Sequence, residues 1–195
     1  MDDFNIKIEY KHVPRFDSGS DESIDYLERE GYVIIKNALT ANEASKTLDL
    51  LWDYLENLGT GIDRTNPMTW SDDKWPTCAH GGIIPSYGIG HSEAQWFVRG
   101  VPNVKKAFAK VWGTNDLLTS FDGVSLWRPW NIDPSWKTQS GQAWFHIDQH
   151  PISKPGKQCI QGLINLLPTS KEIGGNVVIP KSHNFFKDIP EEYKE

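Results

Sequence analysis

The hydrophobic period of this chain changes near residue 115, and that change limits the folds open to it. Before it, apolar residues recur three and four apart, the spacing of an amphipathic helix. After about residue 120 they alternate, which is the strand period. Asp21 to Glu30 reads as a short helix closed by Gly31. Tyr32-Val33-Ile34-Ile35 reads as a strand. Thr40-Ala41-Asn42-Glu43 has the form of a capping box. Ala44, Leu48, Leu51, Leu55 and Leu58 follow at helical spacing until Gly59. A third helix is predicted over Val104 to Trp112, entered at Pro102 and closed by Gly113, with Val104, Phe108 and Val111 as its buried stripe. Candidate strands are Phe121–Trp127, Ala143–Asp148, Gln158–Leu167 and Gly175–Ile179. Residues 1–20 read as an arm, partly strand from Phe4 to Tyr10. Residues 60–90, rich in Gly, Pro, Trp and Ser, read as a long loop over the surface or the mouth of a site. Helices first, then short strands with long connections, predict an antiparallel sandwich or jelly roll with helices packed on one sheet.

Composition narrows the function classes. A length of 195 residues suits one domain with a real core. Nine tryptophans predict either an aromatic core or an aromatic pocket. The net charge is −6 and no basic block occurs, which argues against nucleic acid as a partner. No apolar run approaches the ~18 residues of a membrane span. Met1-Asp2-Asp3-Phe4 lacks the basic and apolar regions of a signal peptide. Two cysteines, Cys78 and Cys159, make no disulfide framework. A cytoplasmic protein with reduced thiols is expected.

The chemical signal is His146-Ile147-Asp148. On a strand, residues two apart point to one face, so imidazole and carboxylate would project side by side. Together they are two thirds of the 2-His-1-carboxylate triad that holds non-haem Fe(II). Six histidines and 15 aspartates in 195 residues give about 0.5 such pairs by chance, so the context has to decide. The pair ends an apolar segment, Ala143-Trp144-Phe145, and precedes Gln149-His150-Pro151. In the next candidate strand Ile160, Gly162, Ile164 and Leu166 are apolar or small, whereas the odd positions include Gln161 and Asn165. Such a strand fits a sheet packed on helices on one side and lining a polar cavity on the other. A solvent-facing role for the two carboxamides is the alternative.

Several segments resemble the phytanoyl-CoA dioxygenase-like branch of the Fe(II)/2-oxoglutarate oxygenases. Gly31-Tyr32-Val33-Ile34-Ile35-Lys36-Asn37 before a capped helix resembles the family's N-terminal strand and helix. Trp144-Phe145-His146-Ile147-Asp148-Gln149-His150-Pro151 is similar to its metal motif, and Gln158 to Pro168 to the strand that follows. Gly174-Gly175-Asn176-Val177-Val178-Ile179-Pro180-Lys181-Ser182-His183 resembles its Gly-rich turn, strand and Pro-Gly-Ser-His segment, with Lys181 in place of the glycine. The resemblance implies a mainly β fold with N-terminal helices, a double-stranded β-helix of the jelly-roll, cupin-like kind. It implies Fe(II) held by His146 and Asp148, and 2-oxoglutarate as co-substrate with Trp127, Gln161 and Asn165 as candidate contacts. The implied reaction is hydroxylation of a small molecule by molecular oxygen, the cofactor supplying the hard chemistry. Family substrates include acyl-CoA thioesters, amino-acid derivatives and alkaloids; the lack of a basic patch argues mildly against a CoA ester.

The family pattern also has a distal histidine and an arginine that pairs with the far carboxylate of 2-oxoglutarate. No arginine follows Arg128, and four candidate strands stand where a jelly roll has about eight. The expectation is one oxygenase domain over 1–195, incomplete at its C-terminus. Residues 1–115 would be its helical part and 116–195 the first strands of the roll. His183 is a candidate third ligand, with a loop-anchoring hydrogen bond as its other reading. His150 would orient the loop behind the motif, and His80 and His91 would line substrate or face solvent. The alternatives are a catalytically inactive scaffold of the same fold, a truncated fragment of the active enzyme, or an iron enzyme that does not use 2-oxoglutarate.

Overall fold

Helix α1 (Asp21–Glu30) starts where Ser20 accepts a hydrogen bond from the Ser23 amide at 3.2 Å. It stops at Gly31, whose φ of +81° is left-handed and whose amide donates to the Leu27 carbonyl at 2.8 Å. The computed structural model describes residue 9 and residues 11–138, 145–170, 172–173 and 175–188. Apart from Glu9, the strand expected from Phe4 to Tyr10 lies outside the described residues, as do Ala143 and Trp144. By their internal contacts the residues fall into two compact units. One comprises Met1–Ala38, Lys105–Asn115 and Gln142–Glu195, and the other Leu39–Val104 and Asp116–Gly141.

In the first unit β1 (Arg15–Phe16) runs parallel to β2 (Ile34–Ile35), with Arg15 opposite Ile34 and Phe16 opposite Ile35. Tyr26 of α1 packs between Phe16 and Tyr32, at ring distances of 5.1 and 5.7 Å. The late segment returns to the end of α1. The Lys181 amide donates to the Glu30 carbonyl at 2.8 Å, and the His183 ring meets the Glu28 carbonyl at 3.0 Å. Lys157 pairs with the Glu28 carboxylate at 2.8 Å. Gly162 lies against the Phe108 ring so closely that a Cβ there would overlap it. Lys181, the residue standing where the resemblance has glycine, adopts a left-handed φ of +66°.

In the second unit α2 (Ala41–Glu56) carries the expected capping box: the Thr40 hydroxyl accepts from the Glu43 amide at 3.2 Å and the Glu43 carboxylate accepts from the Thr40 amide at 2.7 Å. Those hydrogen bonds hold the Glu43 carboxyl below the usual range. Leu51 and Leu55 of α2 are buried, and Leu55 joins Ile62, Trp75, Ile84 and Ile89 in one core cluster. Most of that cluster comes from residues 60–90. The segment expected to be a long loop over the surface or the mouth of a site is a core element here, because Ile84 and Ile89 are almost wholly removed from solvent. Two residues of it, Ile83–Ile84 (β3), pair antiparallel with Val124–Ser125 (β4). Helix α3 (Glu93–Gly100), unforeseen in the pattern, is capped by Ser92 and packs on α2. Helix α4 (Pro102–Trp112) matches its expected bounds and supplies residues to both units. No described helix is long and apolar enough to cross a membrane.

The expected jelly roll is corrected by these strands. The described residues contain four strands of two residues each, in two separate two-stranded sheets. Phe121–Trp127 forms a ladder only at Val124–Ser125, and no ladder forms over the described parts of 143–148, 158–167 or 175–179. The reason is that alternation states which residues would share a face, while a strand exists only where a neighbour takes up its backbone N–H and C=O groups. Leu163 and Leu167, on the face shared with Gln161 and Asn165, are 56% and 61% exposed, while Ile160, Ile164 and Leu166 on the other face are half-buried without a ladder. The architecture is helical and irregular rather than mainly β.

Candidate functional site

Neither residue lies in a strand: His146 has no regular secondary structure and Asp148 stands in a bend. Their side chains nonetheless meet, His146 Nε2 standing 3.2 Å from Asp148 Oδ1. Both side chains are about half exposed. The second carboxylate oxygen, Oδ2, accepts a short hydrogen bond from the Gln161 carboxamide, 13 residues on. Gln161 therefore fixes the rotation of the carboxylate that leaves Oδ1 toward the imidazole.

The turn behind the pair is closed by its own side chains. Gln149 donates from Nε2 to the carbonyls of Lys154 and Gly156. His150 Nδ1 accepts from the amides of Ile152 and Ser153 at 3.3 and 3.1 Å. An accepting Nδ1 puts the proton of the neutral ring on Nε2. The Lys154 amide returns to the His150 carbonyl at 3.0 Å, and Pro151 is buried beneath the turn. The site thus sits at the mouth of a self-bonded turn.

Do these residues suit a metal ion? Two donors each about 2.1 Å from one octahedral ion, at right angles, stand about 3.0 Å apart. The observed 3.2 Å between Nε2 and Oδ1 fits adjacent ligand positions. Gln161 supplies the outer hydrogen bond that ligating carboxylates need. No group of three His, Cys, Asp or Glu side chains with metal-holding geometry occurs among the described residues. His183, considered as a third ligand, is placed on the Glu28 carbonyl instead, as the anchoring contact of its segment.

The other expected residues are placed as follows. Asn165 donates to the Thr169 hydroxyl at 3.4 Å. Trp127, in the second unit, lays its ring against Gly82, where a Cβ would overlap it. His91 stacks on Phe121 at 4.0 Å. The structure joins three expected residues, His146, Asp148 and Gln161. That Gln161 serves the carboxylate was not legible, although its parity on the polar face of 158–167 marked it.

Comparison with known proteins gives two relatives. Over 183 residues the chain is 33% identical to "Ava biosynthesis cluster protein O" of Aspergillus versicolor, covering 94% of this chain and 56% of that protein. Over 200 residues it is 26% identical to "Putative phytanoyl-CoA dioxygenase" of Dictyostelium discoideum, covering 84% of this chain and 56% of that one. One of the two relatives bears the name of a phytanoyl-CoA dioxygenase. No family model and no solved structure matches it. The chain spans about half the length of the curated relatives it matches. The two likenesses extend over 94% and 84% of this chain's residues, well beyond His146-Ile147-Asp148 and its flanks.

Proposed function

We propose that residues 1–195 belong to an oxygenase domain that uses Fe(II) and 2-oxoglutarate to hydroxylate a small organic molecule. The observation that carries the reading is the 3.2 Å pair of His146 and Asp148, with Gln161 holding the far carboxylate oxygen. The name of the Dictyostelium discoideum relative supports the oxygenase class. When bound, the iron would couple oxidation of 2-oxoglutarate by oxygen, to succinate and carbon dioxide, to insertion of a hydroxyl into a C–H bond.

The chain's own residues have defined tasks in this reading. His146 offers its Nε2 lone pair and must be neutral to do so. Asp148 offers Oδ1 as a carboxylate. Gln161 keeps Oδ2 engaged, which leaves Oδ1 as the oxygen Asp148 would offer to a metal. The carboxamide N–H groups of Gln161 and Asn165 are the candidate co-substrate contacts, because a dicarboxylate needs donors. Their shared strand parity is what supports the two carboxamides. Both cysteines are free thiols, which supports a reducing, cytosolic setting.

Titration of the purified chain with Fe(II) under argon tests the metal assignment. Wild type is expected to bind one equivalent, while His146→Ala and Asp148→Ala bind none; equal uptake by all three proteins would refute it. Succinate release with added Fe(II) and 2-oxoglutarate tests the chemistry. Metal uptake without succinate would favour the scaffold or a 2-oxoglutarate-independent enzyme.

A further inference from the structure

Just past Asp148 the chain makes a single helical turn. The Lys154 amide donates to the His150 carbonyl at 3.0 Å, the i, i+4 bond of an α-helix formed once. Pro151 occupies the first position of the turn, where a missing N–H costs nothing. The amides of Ile152 and Ser153 come too early in the turn to find a carbonyl within it. Both donate instead to His150 Nδ1, at 3.3 and 3.1 Å. His150 thus stands where a helix start ordinarily has Asp, Asn, Ser or Thr, and its ring nitrogen takes the place of their side-chain oxygen.

Ring chemistry limits what else this side chain can do. A Nδ1 lone pair shared by two amides is not offered to a metal, and the neutral ring of that tautomer carries its proton on Nε2. His150 is therefore no third ligand in this arrangement, although it follows Asp148 so closely. The far end of the turn is tied to the residue between the two. Gln149 donates from Nε2 to the carbonyls of Lys154 and Gly156. Residues 149–156 are closed on themselves in this way. Asp148 is consequently held from two sides, its backbone by the turn and its Oδ2 by Gln161.

We infer that His150 is a positioning residue of the His146–Asp148 pair: by capping the turn that begins at Pro151 it fixes the backbone at Asp148 and keeps Oδ1 beside His146 Nε2. The inference deepens the proposed metal reading and rests on it for its functional meaning.

An asparagine at this position can accept from the same two amides through its side-chain oxygen, whereas a leucine keeps bulk and accepts nothing. Wild type, His150→Leu and His150→Asn are therefore compared. Hydrogen exchange of the Ile152 and Ser153 amides, followed by NMR, should quicken about five-fold in His150→Leu and stay near wild type in His150→Asn. The nuclear Overhauser contact between the His146 ring and the Asp148 β-protons, measured without metal, should be lost in His150→Leu and kept in His150→Asn. Fe(II) affinity under argon should fall about ten-fold in His150→Leu and return to within about two-fold of wild type in His150→Asn. A His146–Asp148 contact that survives in His150→Leu would overturn the inference, as would unchanged Fe(II) affinity in that variant or equal losses in both variants. Failure of wild type to take up Fe(II) would sink the metal reading instead, and the contact measured without metal then decides this inference by itself.

Discussion

Gln161 is the residue whose meaning changes most between the linear chain and the folded one. Its carboxamide is spent on Asp148, and hydrogen bonds of that kind orient a ligating carboxylate. Gln161→Leu keeps the bulk and removes the donor. Metal affinity measured by titration should fall about ten-fold, with an unchanged circular dichroism spectrum; equal affinity would show that the contact orients nothing.

Tyr32 offers a second residue-level test. Its hydroxyl shares a hydrogen bond of 3.2 Å with Tyr26, and that bond, with some burial, pushes its pKa up to about 12. In the unfolded chain a tyrosine ionises near 10. The unfolded state therefore loses its proton first as pH rises, so stability holds below pH ~10, declines from there, and levels off above about 12. Tyr26→Phe should move the Tyr32 titration, followed by absorbance at 295 nm, toward 10. An unmoved curve would assign the shift to burial alone.

At the scale of elements, helix ends are the clearest success of local chemistry. Ser20, Thr40 and Ser92 each accept from an amide three residues on, because a helix's first amides lack internal partners. Gly31 combines two requirements. Its left-handed φ closes α1, and the His183 ring occupies the space a Cβ would need. Gly31→Ala should cost about 2 kcal/mol, from left-handed strain plus displacement of the ring. Urea unfolding measures it, and a cost near zero would mean the late segment does not pack on the helix end. Lys181 shows the same backbone demand met without glycine.

Strands behaved differently from helices at this scale. A helix closes its hydrogen bonds within one segment, so capping and periodicity suffice to predict Asp21–Glu30 and Pro102–Trp112. A strand borrows its bonds from a distant partner. Tyr32 to Ile35 forms a ladder only at Ile34–Ile35, where Arg15–Phe16 arrives alongside.

For the whole molecule, the segment 60–90 is where core and surface were exchanged. Its glycines, prolines and serines signalled turns correctly, since Pro67–Thr69 and Ile89–His91 are short 3-10 turns. Composition did not reveal that Ile62, Trp75, Ile84 and Ile89 between those turns meet Leu55 of α2. Ile84→Ala should cost about 3 kcal/mol in a urea melt, the loss expected from a buried cavity. A surface-loop isoleucine would cost almost nothing, so a small value would restore the loop reading.

His146-Ile147-Asp148, the helix caps and the turn residues follow from chemistry within a few positions, and the sequence alone determined them. The tertiary structure decided that Gln161 serves Asp148, that His183 anchors the end of α1, and that residues 60–90 build a core. It also replaced the expected jelly roll with two-residue strands in a helical and irregular frame. Local rules act through bonds that close within one turn, whereas sheet partners, cores and the second contacts of a carboxylate depend on which distant segments meet.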